Sequence, residues 1–368
     1  MSGFHASTLG ILAFLMAAGT ASGQSLPDAF EKPPVELETW QATANFTGPR
    51  ASHAAVIAGN RIVLLGGYSV DPSYTLFDDV QVASIGNDGL ITAAGWQKTQ
   101  PFKIARSGLA AVTDGKFVYI SGGYSQQGTL ADIQYARLNE DGTVGPWQTS
   151  SKAMLVPRSN HRMELIQTGQ GKKYLAAIAG VGEIGADTVH FDHLEVAEIA
   201  TDGSVGEWKM CPFHLKGGRS APATFVNGSR LYVVGGWGDL LLSDVFNDIQ
   251  HAPLRPDGCA DPWYTNPTGL LMPLYGHTLA LARAGGNTVA VVIGGNSGNG
   301  NYASAVQASA LYPGSGTGRW YLSRTPVPSA RWGHATVQYN DFVYVIGGAA
   351  HAPSSFLSDV QVSRFKAP

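Results

Sequence analysis

The chain has 368 residues, 44% of them hydrophobic, and a formal net charge of −3 at pH 7. This apolar content is ample for a large buried core, and a charge so near zero gives no support for nucleic-acid binding, which usually requires a clearly basic face. The 46 glycines indicate a chain rich in strand ends and tight turns.

Residues 1–23 differ in character from the rest of the chain. An apolar run from Leu9 to Ala18 precedes the small residues of 19–23, which is the pattern of a secretory signal peptide. The run is too short to cross a membrane as a helix, so no membrane span is expected. The sequence therefore predicts a secreted or periplasmic protein, with a proline-spaced lead-in over residues 24–34.

Residues 35–368 contain a pattern that occurs six times. In its clearest copy, Arg331 begins a short strand-like run, Asn340-Asp341 forms a turn, and a second, apolar run ends at Gly347-Gly348. Two runs rich in β-branched and aromatic residues around a polar pair predict an antiparallel hairpin. The other five copies span Arg50–Gly67, Arg106–Gly123, Arg158–Gly180, Arg219–Gly236 and Leu274–Gly295.

Each repeat also predicts two further strands. A phrase such as Asp79-Val80-Gln81 follows each hairpin, and in four copies it leads to an Asp-Gly pair. Asp-Gly is a strong turn signal because glycine readily adopts a positive φ. A tryptophan then marks the fourth strand. The six tryptophans lie 51 to 61 residues apart, at Trp40, Trp96, Trp147, Trp208, Trp263 and Trp320.

Four strands and a double glycine in each unit of about fifty residues are typical of a β-propeller blade. On the double glycine and the spaced tryptophan, the chain from Val35 to Phe365 resembles the kelch-repeat family, and this resemblance implies an all-β, six-bladed kelch-type β-propeller. The sixth unit ends after Asp359–Phe365 without a tryptophan, whereas Val35–Trp40 precedes the first hairpin. We therefore expect an N-terminal strand to close the last blade, which leaves no unpaired edge.

The first residues of the hairpins form the leading candidate site. If the first strand starts at the arginine and the second strand returns, both ends lie on one face of the propeller. The resemblance implies that this face is a common ligand site in kelch proteins. The candidate ligand-binding residues at this axial mouth are Arg50, His53, Arg106, Arg158, His161, Arg219, Trp237, His277, Arg331 and His334.

Two interpretations of these repeated residues stay open. Five guanidinium groups in one pocket would repel one another unless anions or carboxylates offset their charge, which favours an anionic ligand. Alternatively, the arginines pair with the aspartate of the Asp-Val-Gln phrase and the histidines bond to neighbouring backbone, so that both are structural. Leu274 replaces the arginine in one repeat and Leu109 the histidine in another, so neither residue is obligatory for a blade.

The third repeat is irregular and supplies the candidates for catalysis. It reads Ala179-Gly180 in place of the double glycine and continues into Glu183 and His190, while Arg162 lies outside the shared pattern. With Arg162 holding an anion and Glu183 or His190 as acid or base, these residues favour proton abstraction beside a carboxylate. The corresponding activity is that of an isomerase, epimerase or lyase acting on a sugar acid.

Three functions are compatible with these patterns. The first is binding of a small anionic or carbohydrate-like ligand, or a peptide, by a monomeric exported propeller. The second is the sugar-acid enzyme, and the third is a non-catalytic surface or adhesion module. Cys211 and Cys259 lack the spacing of a metal site and no phosphate-binding loop is present, so neither a metal nor a cofactor is expected. The two cysteines either pair or remain separate buried thiols, and the sequence leaves this open.

Overall fold

The computed structural model describes residues 32–366, apart from Gln170, residues 239–243, Pro313, Ser315 and residues 352–354. The predicted signal peptide, and the predicted lead-in up to residue 31, lie outside the described residues. The described residues form strands, turns and loops. They include no helix long and apolar enough to cross a membrane.

Six antiparallel sheets of four strands each form the blades of a β-propeller. This arrangement confirms the predicted all-β, six-bladed fold. In order from the axis outwards, the strands are Ala54–Ala58, Arg61–Leu65, Val80–Ile85 and Ile91–Thr99 in blade 1; Ala110–Thr113, Phe117–Ser121, Ile133–Arg137 and Gln148–Thr149 in blade 2; Arg162–Gln167, Lys173–Ile178, Leu194–Ile199 and Val205–Met210 in blade 3; Ala223–Asn227, Arg230–Trp237, Val245–Pro253 and Tyr264–Thr265 in blade 4; and Thr278–Ala284, Asn287–Ile293, Val306–Leu311 and Tyr321–Leu322 in blade 5.

Blade 6 is completed by the N-terminal part of the chain. Its first three strands come from the C-terminal part, and its outermost strand is formed by Glu36–Leu37, which pairs with residues 365–366, and by Gln41–Thr43, which pairs with residues 360–362. This pairing confirms the closure that the missing C-terminal tryptophan predicted. The three C-terminal strands are Arg331–Trp332 with Ala335–Tyr339, Phe342–Ala350 and Ser355–Lys366.

Apolar clusters between neighbouring blades form the core. In blade 4, Leu231 and Val233 pack in a cluster shared with blade 3, whereas Tyr232 and Val234 pack in a cluster shared with blade 5. Successive side chains of a strand point to opposite faces, so the second strand must be apolar throughout. The Cys211–Cys259 disulfide also joins blades 3 and 4, which settles the pairing that the sequence left open.

Two closed rings of backbone hydrogen bonds join the six blades on one face. In the inner peptide ring, the residue two positions after each arginine position donates its N–H to the equivalent carbonyl of the preceding blade, over 2.7 to 2.9 Å. In the outer ring, the second residue of each Gly-Gly or Ala-Gly pair donates to the carbonyl at the arginine position of the next blade, over 2.8 to 2.9 Å. The inner peptide ring consists of Ser52, Gly108, Asn160, Ala221, Gly276 and Gly333.

The double glycine allows two blades to approach this closely. Gly66 and Gly67 have φ of 61° and 100°, in the region that favours glycine. A Cβ on Gly66 would lie 2.9 Å from the carbonyl oxygen of Arg106 in the next blade, and a Cβ on Gly67 would lie 2.9 Å from that of Ala51. A side chain at either position would therefore push apart the backbone that forms the rings.

Candidate functional site

The five repeat arginines are buried and paired with carboxylates, with at most 1% of each exposed. In blade 6, Nη1 and Nη2 of Arg331 donate to the two carboxylate oxygens of Asp359 over 2.8 and 2.9 Å, and Nη1 also donates to the carbonyl oxygen of Gly347. Of the two interpretations that the sequence left open, pairing within the repeat is the one observed, because each guanidinium is neutralised by a carboxylate of its own blade. The residues concerned are Arg50, Arg106, Arg158, Arg219 and Arg331.

Blade 3 achieves this neutralisation with different residues. His193 occupies the aspartate position and Glu195 the glutamine position of the shared phrase; Arg158 donates to Glu195, and its Nη2 lies 2.6 Å from Nε2 of His193. Burial opposes ionisation of Glu195, but the hydrogen bond from His193 and the charge of Arg158 outweigh it and hold the pKa of Glu195 below its usual value. The carboxylate that neutralises the arginine of blade 3 therefore lies two positions further along the strand than in the other blades.

The four repeat histidines are buried at or near the blade interfaces. His161 Nε2 lies 2.7 Å from the Ser121 hydroxyl of blade 2. Burial, together with a nearby arginine, lowers the pKa of His53 and His277 to about 3 and that of His161 and His334 well below the usual value. All four are neutral at pH 7. They therefore bring no positive charge to the mouth.

The axial channel instead contains one arginine and one glutamate from the innermost strand of blade 3. Arg162 and Glu164 are two residues apart and therefore project from the same face of the strand. Together with threonines of blades 4, 5 and 6 they line a cavity of about 160 Å³. Alanine or threonine occupies the position of Arg162 in the other blades, at Ala54, Ala110, Ala223, Thr278 and Ala335.

Arg162 is a cation bound only to neutral groups. Its Nε donates to the carbonyl oxygen of Pro222 over 2.6 Å and its Nη2 to that of His277 over 3.4 Å, so the side chain reaches past blade 4 to blade 5. Burial lowers its pKa to about 10, against the opposing charge of Glu164, and it stays charged at pH 7. None of the ion pairs within the described residues includes Arg162. A guanidinium has five N–H donors, so three remain available here.

Glu164 is a carboxyl group that changes its charge near neutral pH. The hydroxyl of Thr224 donates to its Oε1 over 2.6 Å. Although Glu164 keeps some surface open to the channel, burial raises its pKa to about 7, against the opposing effects of Thr224 and Arg162. Glu164 was not among the residues predicted from the sequence; the available signal was a second charged residue two positions after Arg162, where the other blades have small or apolar residues.

Arg162 also lines a smaller compartment of about 30 Å³ bounded by the inner peptide ring. His53, His334 and Trp332 contribute to its wall. Because Arg162 borders both spaces, its side chain lies between the inner peptide ring and the larger cavity.

Aromatic side chains surround this end of the channel. The residue after each Gly-Gly or Ala-Gly pair bridges to the residue after the arginine position of the same blade. One member of the bridge is aromatic in five blades, and in blade 3 the bridge joins Ser159 to Val181. The five aromatic residues are Tyr68, Tyr124, Trp237, Tyr275 and Trp332.

Some of these rings form a continuous series that we call the aromatic arc. Ring centroids lie 5.7 Å apart for Trp237 and Tyr275, 6.0 Å for Tyr275 and Trp332, and 6.2 Å for Trp332 and Tyr302. His351 stacks on Tyr302 at the far end, with centroids 4.3 Å apart. The arc extends across blades 4, 5 and 6.

The predicted catalytic residues of blade 3 are only partly brought together. His190 packs against Trp237, the blade 4 end of the aromatic arc, with ring centroids 5.2 Å apart. These two candidates therefore lie side by side. Glu183 is exposed in the hairpin formed by Val181–Ile184 and Asp187–His190, and it lines neither channel cavity. Of the three predicted catalytic residues, only Arg162 lines the channel.

Comparisons with known proteins add no assignment. No protein-family model matches the chain, and no curated protein matches it. Among residues 32–366 as far as they are described, no group of three or more His, Cys, Asp or Glu side chains is placed to hold a metal ion. The geometry of the channel is therefore the basis for a functional proposal.

Proposed function

We propose that this protein binds a small carboxylate-bearing ligand in its axial channel, with Arg162 as the anion-binding residue. The observation that carries the proposal is that Arg162 is charged and partly buried, yet its hydrogen-bond acceptors are the neutral carbonyls of Pro222 and His277. Withdrawing a cation from water without an ion pair costs free energy, and at pH 7 Glu164, the carboxyl group that shares its cavity, is charged only in part. A ligand carboxylate would supply the missing charge and match the planar donor geometry of the guanidinium.

A matched pair of variants tests this function. We expect acetate and galacturonate to raise the unfolding temperature of the wild-type protein and of Arg137→Gln, but not of Arg162→Gln. Arg137 is exposed on blade 2 and serves as the control for the loss of one positive charge. Equal stabilisation of Arg162→Gln by both carboxylates would reject the proposal.

Glu164 supports a second function, that of an isomerase, epimerase or lyase acting on a sugar acid. A carboxyl group with a pKa of about 7 in the same cavity as a partly buried cation suits a general base at neutral pH. Arg162 would hold the substrate carboxylate while Glu164 removes a proton from the adjacent carbon. The base proposed here is Glu164 and not Glu183, since Glu183 does not line the cavity.

The enzymatic alternative has its own test. We expect Glu164→Gln to bind the sugar acid but to lose turnover, because an amide cannot accept the proton. Proton exchange into the substrate from deuterated water, followed by NMR, measures the step directly. Exchange that continued unchanged in Glu164→Gln would exclude Glu164 as the base.

We further propose that the blades are of the kelch type and that the protein is exported. The paired glycines at the blade interfaces and the buried tryptophans support the first proposal. The disulfide between Cys211 and Cys259 supports the second, because disulfides persist in oxidising compartments. Finding the protein in a cell's reducing cytoplasm, with both thiols reduced, would contradict export.

A further inference from the structure

We infer that the ligand is a carboxylated sugar whose carboxylate enters the inner peptide ring while its sugar ring stays outside, against the aromatic arc at Trp332. This inference rests on the function proposed above and adds to it a second binding element with a different chemistry. Arg162 recognises the charge, and Trp332 recognises the sugar.

The inner peptide ring limits what can reach Arg162 from the mouth. Hydrogen-bonded backbones lie about 4.8 Å apart, so a hexagon with sides of that length has its corners about 4.8 Å from its centre. Subtracting about 1.8 Å for the radius of the backbone atoms leaves an opening roughly 6 Å across. A carboxylate passes such an opening, but a six-membered sugar ring with its hydroxyl groups does not.

Arg162 lies close enough to the ring to meet a carboxylate held there. Its two acceptors, the carbonyls of Pro222 and His277, belong to the residues that directly follow ring members Ala221 and Gly276. One residue of a strand corresponds to about 3.3 Å, so the guanidinium lies about that far below the ring. A carboxylate on a single carbon–carbon bond can therefore reach Arg162 while the rest of the ligand remains at the mouth.

Trp332 occupies the position where the rest of the ligand would rest. A Cβ on Gly276 would lie 3.0 Å from Cε3 of Trp332, so the indole packs directly against the inner peptide ring. Trp332 also lines the compartment bounded by that ring, and Tyr275 and Tyr302 extend the aromatic surface away from it.

Two indole N–H groups of the arc have no hydrogen-bond acceptor among the described residues. They are Nε1 of Trp332 and Nε1 of Trp237, and both nitrogen atoms are shielded from solvent. Since water reaches neither nitrogen, a ligand at the mouth meets the rings of these two indoles and not their N–H groups. The apolar face of a sugar can pack on the rings.

The combination of Arg162, the inner peptide ring and the aromatic arc favours a sugar acid over an acidic peptide. An extended peptide is recognised mainly through its backbone, by an open strand edge, but every backbone N–H of the inner peptide ring is already used within the ring. What the mouth offers is aromatic faces around one cation. These groups match a compact ring with hydroxyl groups and one carboxylate.

Three ligands and four variants test the division of roles. Affinities for galacturonate, glucuronate and acetate are measured by calorimetry for Trp332→Ala, Arg162→Gln and the control Tyr312→Ala, whose side chain is 53% exposed away from the mouth. We expect Trp332→Ala to bind the better uronate about fivefold to tenfold more weakly and acetate unchanged. Trp332→Phe should recover most of this loss, because the aromatic face is kept. Arg162→Gln should lose both classes of ligand.

The possible outcomes separate the inference from the function beneath it. If Trp332→Ala binds the uronate as tightly as the wild type, while Arg162→Gln loses it, the stacking role is overturned and the proposed function stands. If Arg162→Gln retains acetate and uronate, the proposed function itself fails. Failure of both uronates to bind the wild type at millimolar concentration overturns the inference, as does equal, Trp332-dependent binding of a peptide with a free C-terminus.

Discussion

Blade 3 and the other five blades share one framework but differ at the axis. In blade 6, a regular blade, Arg331 is neutralised by Asp359 and the channel position is Ala335. In blade 3, Arg158 is neutralised by Glu195 and the channel position is Arg162, which has no carboxylate partner among the described residues. The repeated charges are therefore balanced within each blade, whereas the charge outside the repeat faces the channel.

The first prediction breaks the compensation inside blade 3. Arg158 and Glu195 are both fully buried, so Glu195→Gln leaves a buried cation without its carboxylate and should lower the free energy of unfolding by about 3 to 5 kcal/mol. Adding His193→Asp recreates the Asp-x-Gln arrangement of the regular blades and should restore at least half of the loss. Urea unfolding of the single and double variants measures both effects.

His193→Asp alone provides the control for this exchange. It adds a second carboxylate beside Glu195, and we expect it to destabilise the protein rather than to stabilise it. A double variant as unstable as the sum of the two singles would show that the residues do not compensate each other.

The second prediction applies one substitution to both kinds of arginine. Arg331→Gln leaves Asp359 without its partner in a largely buried site and should lower the free energy of unfolding by about 3 kcal/mol. Arg162→Gln removes a cation that forms no ion pair among the described residues, and Glu164 can take up a proton when that charge is lost, so the free energy of unfolding should stay the same or rise. Thermal unfolding of the two variants without ligand measures the difference. A large loss of stability in Arg162→Gln would place Arg162 with the structural arginines.

Much of the fold follows from features that the repeats share. The phased Gly-Gly and Trp positions predict six blades because every blade must meet the same packing constraints, and the unmatched Val35–Trp40 segment predicts the closure of blade 6. The pairing of Arg331 with Asp359 was also open to prediction as one of two alternatives. The alternatives were an arginine open to a ligand and an arginine paired within its blade. Burial of the arginine decides between them, and this burial depends on the close approach of two blades, which cannot be read from one repeat.

The candidate site was less predictable for a related physical reason. Arg162 was identified because it departs from the repeat, and the same criterion should have extended to Glu164 two residues later. Glu183 and His190 also depart from the repeat, but they lie in a hairpin beyond the end of the second strand, and the direction of that hairpin is not encoded in the repeat. The aromatic arc is assembled from positions on both sides of the bridges, so no single repeat position is consistently aromatic.

The third prediction concerns pH and uses the axial pair of blade 3. Burial raises the pKa of Glu164 to about 7, so this carboxyl is mostly protonated below pH 7 and mostly charged above it. A carboxylate ligand at Arg162 would be repelled by charged Glu164, and its affinity should fall about tenfold as the pH rises from 6 to 8. The channel-lining His53 and His334, with their lowered pKa values, remain neutral over this range.

Glu164→Gln isolates that effect. The amide is neutral at every pH, so the variant should bind acetate at pH 8 as tightly as the wild type does at pH 6, and its affinity should not vary between them. Glu140→Gln, which changes an exposed carboxylate of blade 2, should keep the wild-type profile. A pH dependence that persists in Glu164→Gln would assign the titration to another group.

The smallest predicted effect is on stability, and it tests whether the inner peptide ring can be altered without altering ligand binding at Arg162. Ala221, next to the acceptor of Arg162 in blade 4, has φ of 48° in the inner peptide ring, where Gly276 and Gly333 stand in blades 5 and 6. Ala221→Gly removes about 1 to 2 kcal/mol of left-handed strain and adds about 0.5 to 1 kcal/mol of backbone entropy cost, so the free energy of unfolding should rise by about 0.5 kcal/mol. Ala54→Gly, in a regular strand, should lower it by about 1 kcal/mol. Urea unfolding of both variants gives the sign, and acetate affinity should be unchanged in Ala221→Gly, because the ring supplies the opening while Arg162 supplies the charge.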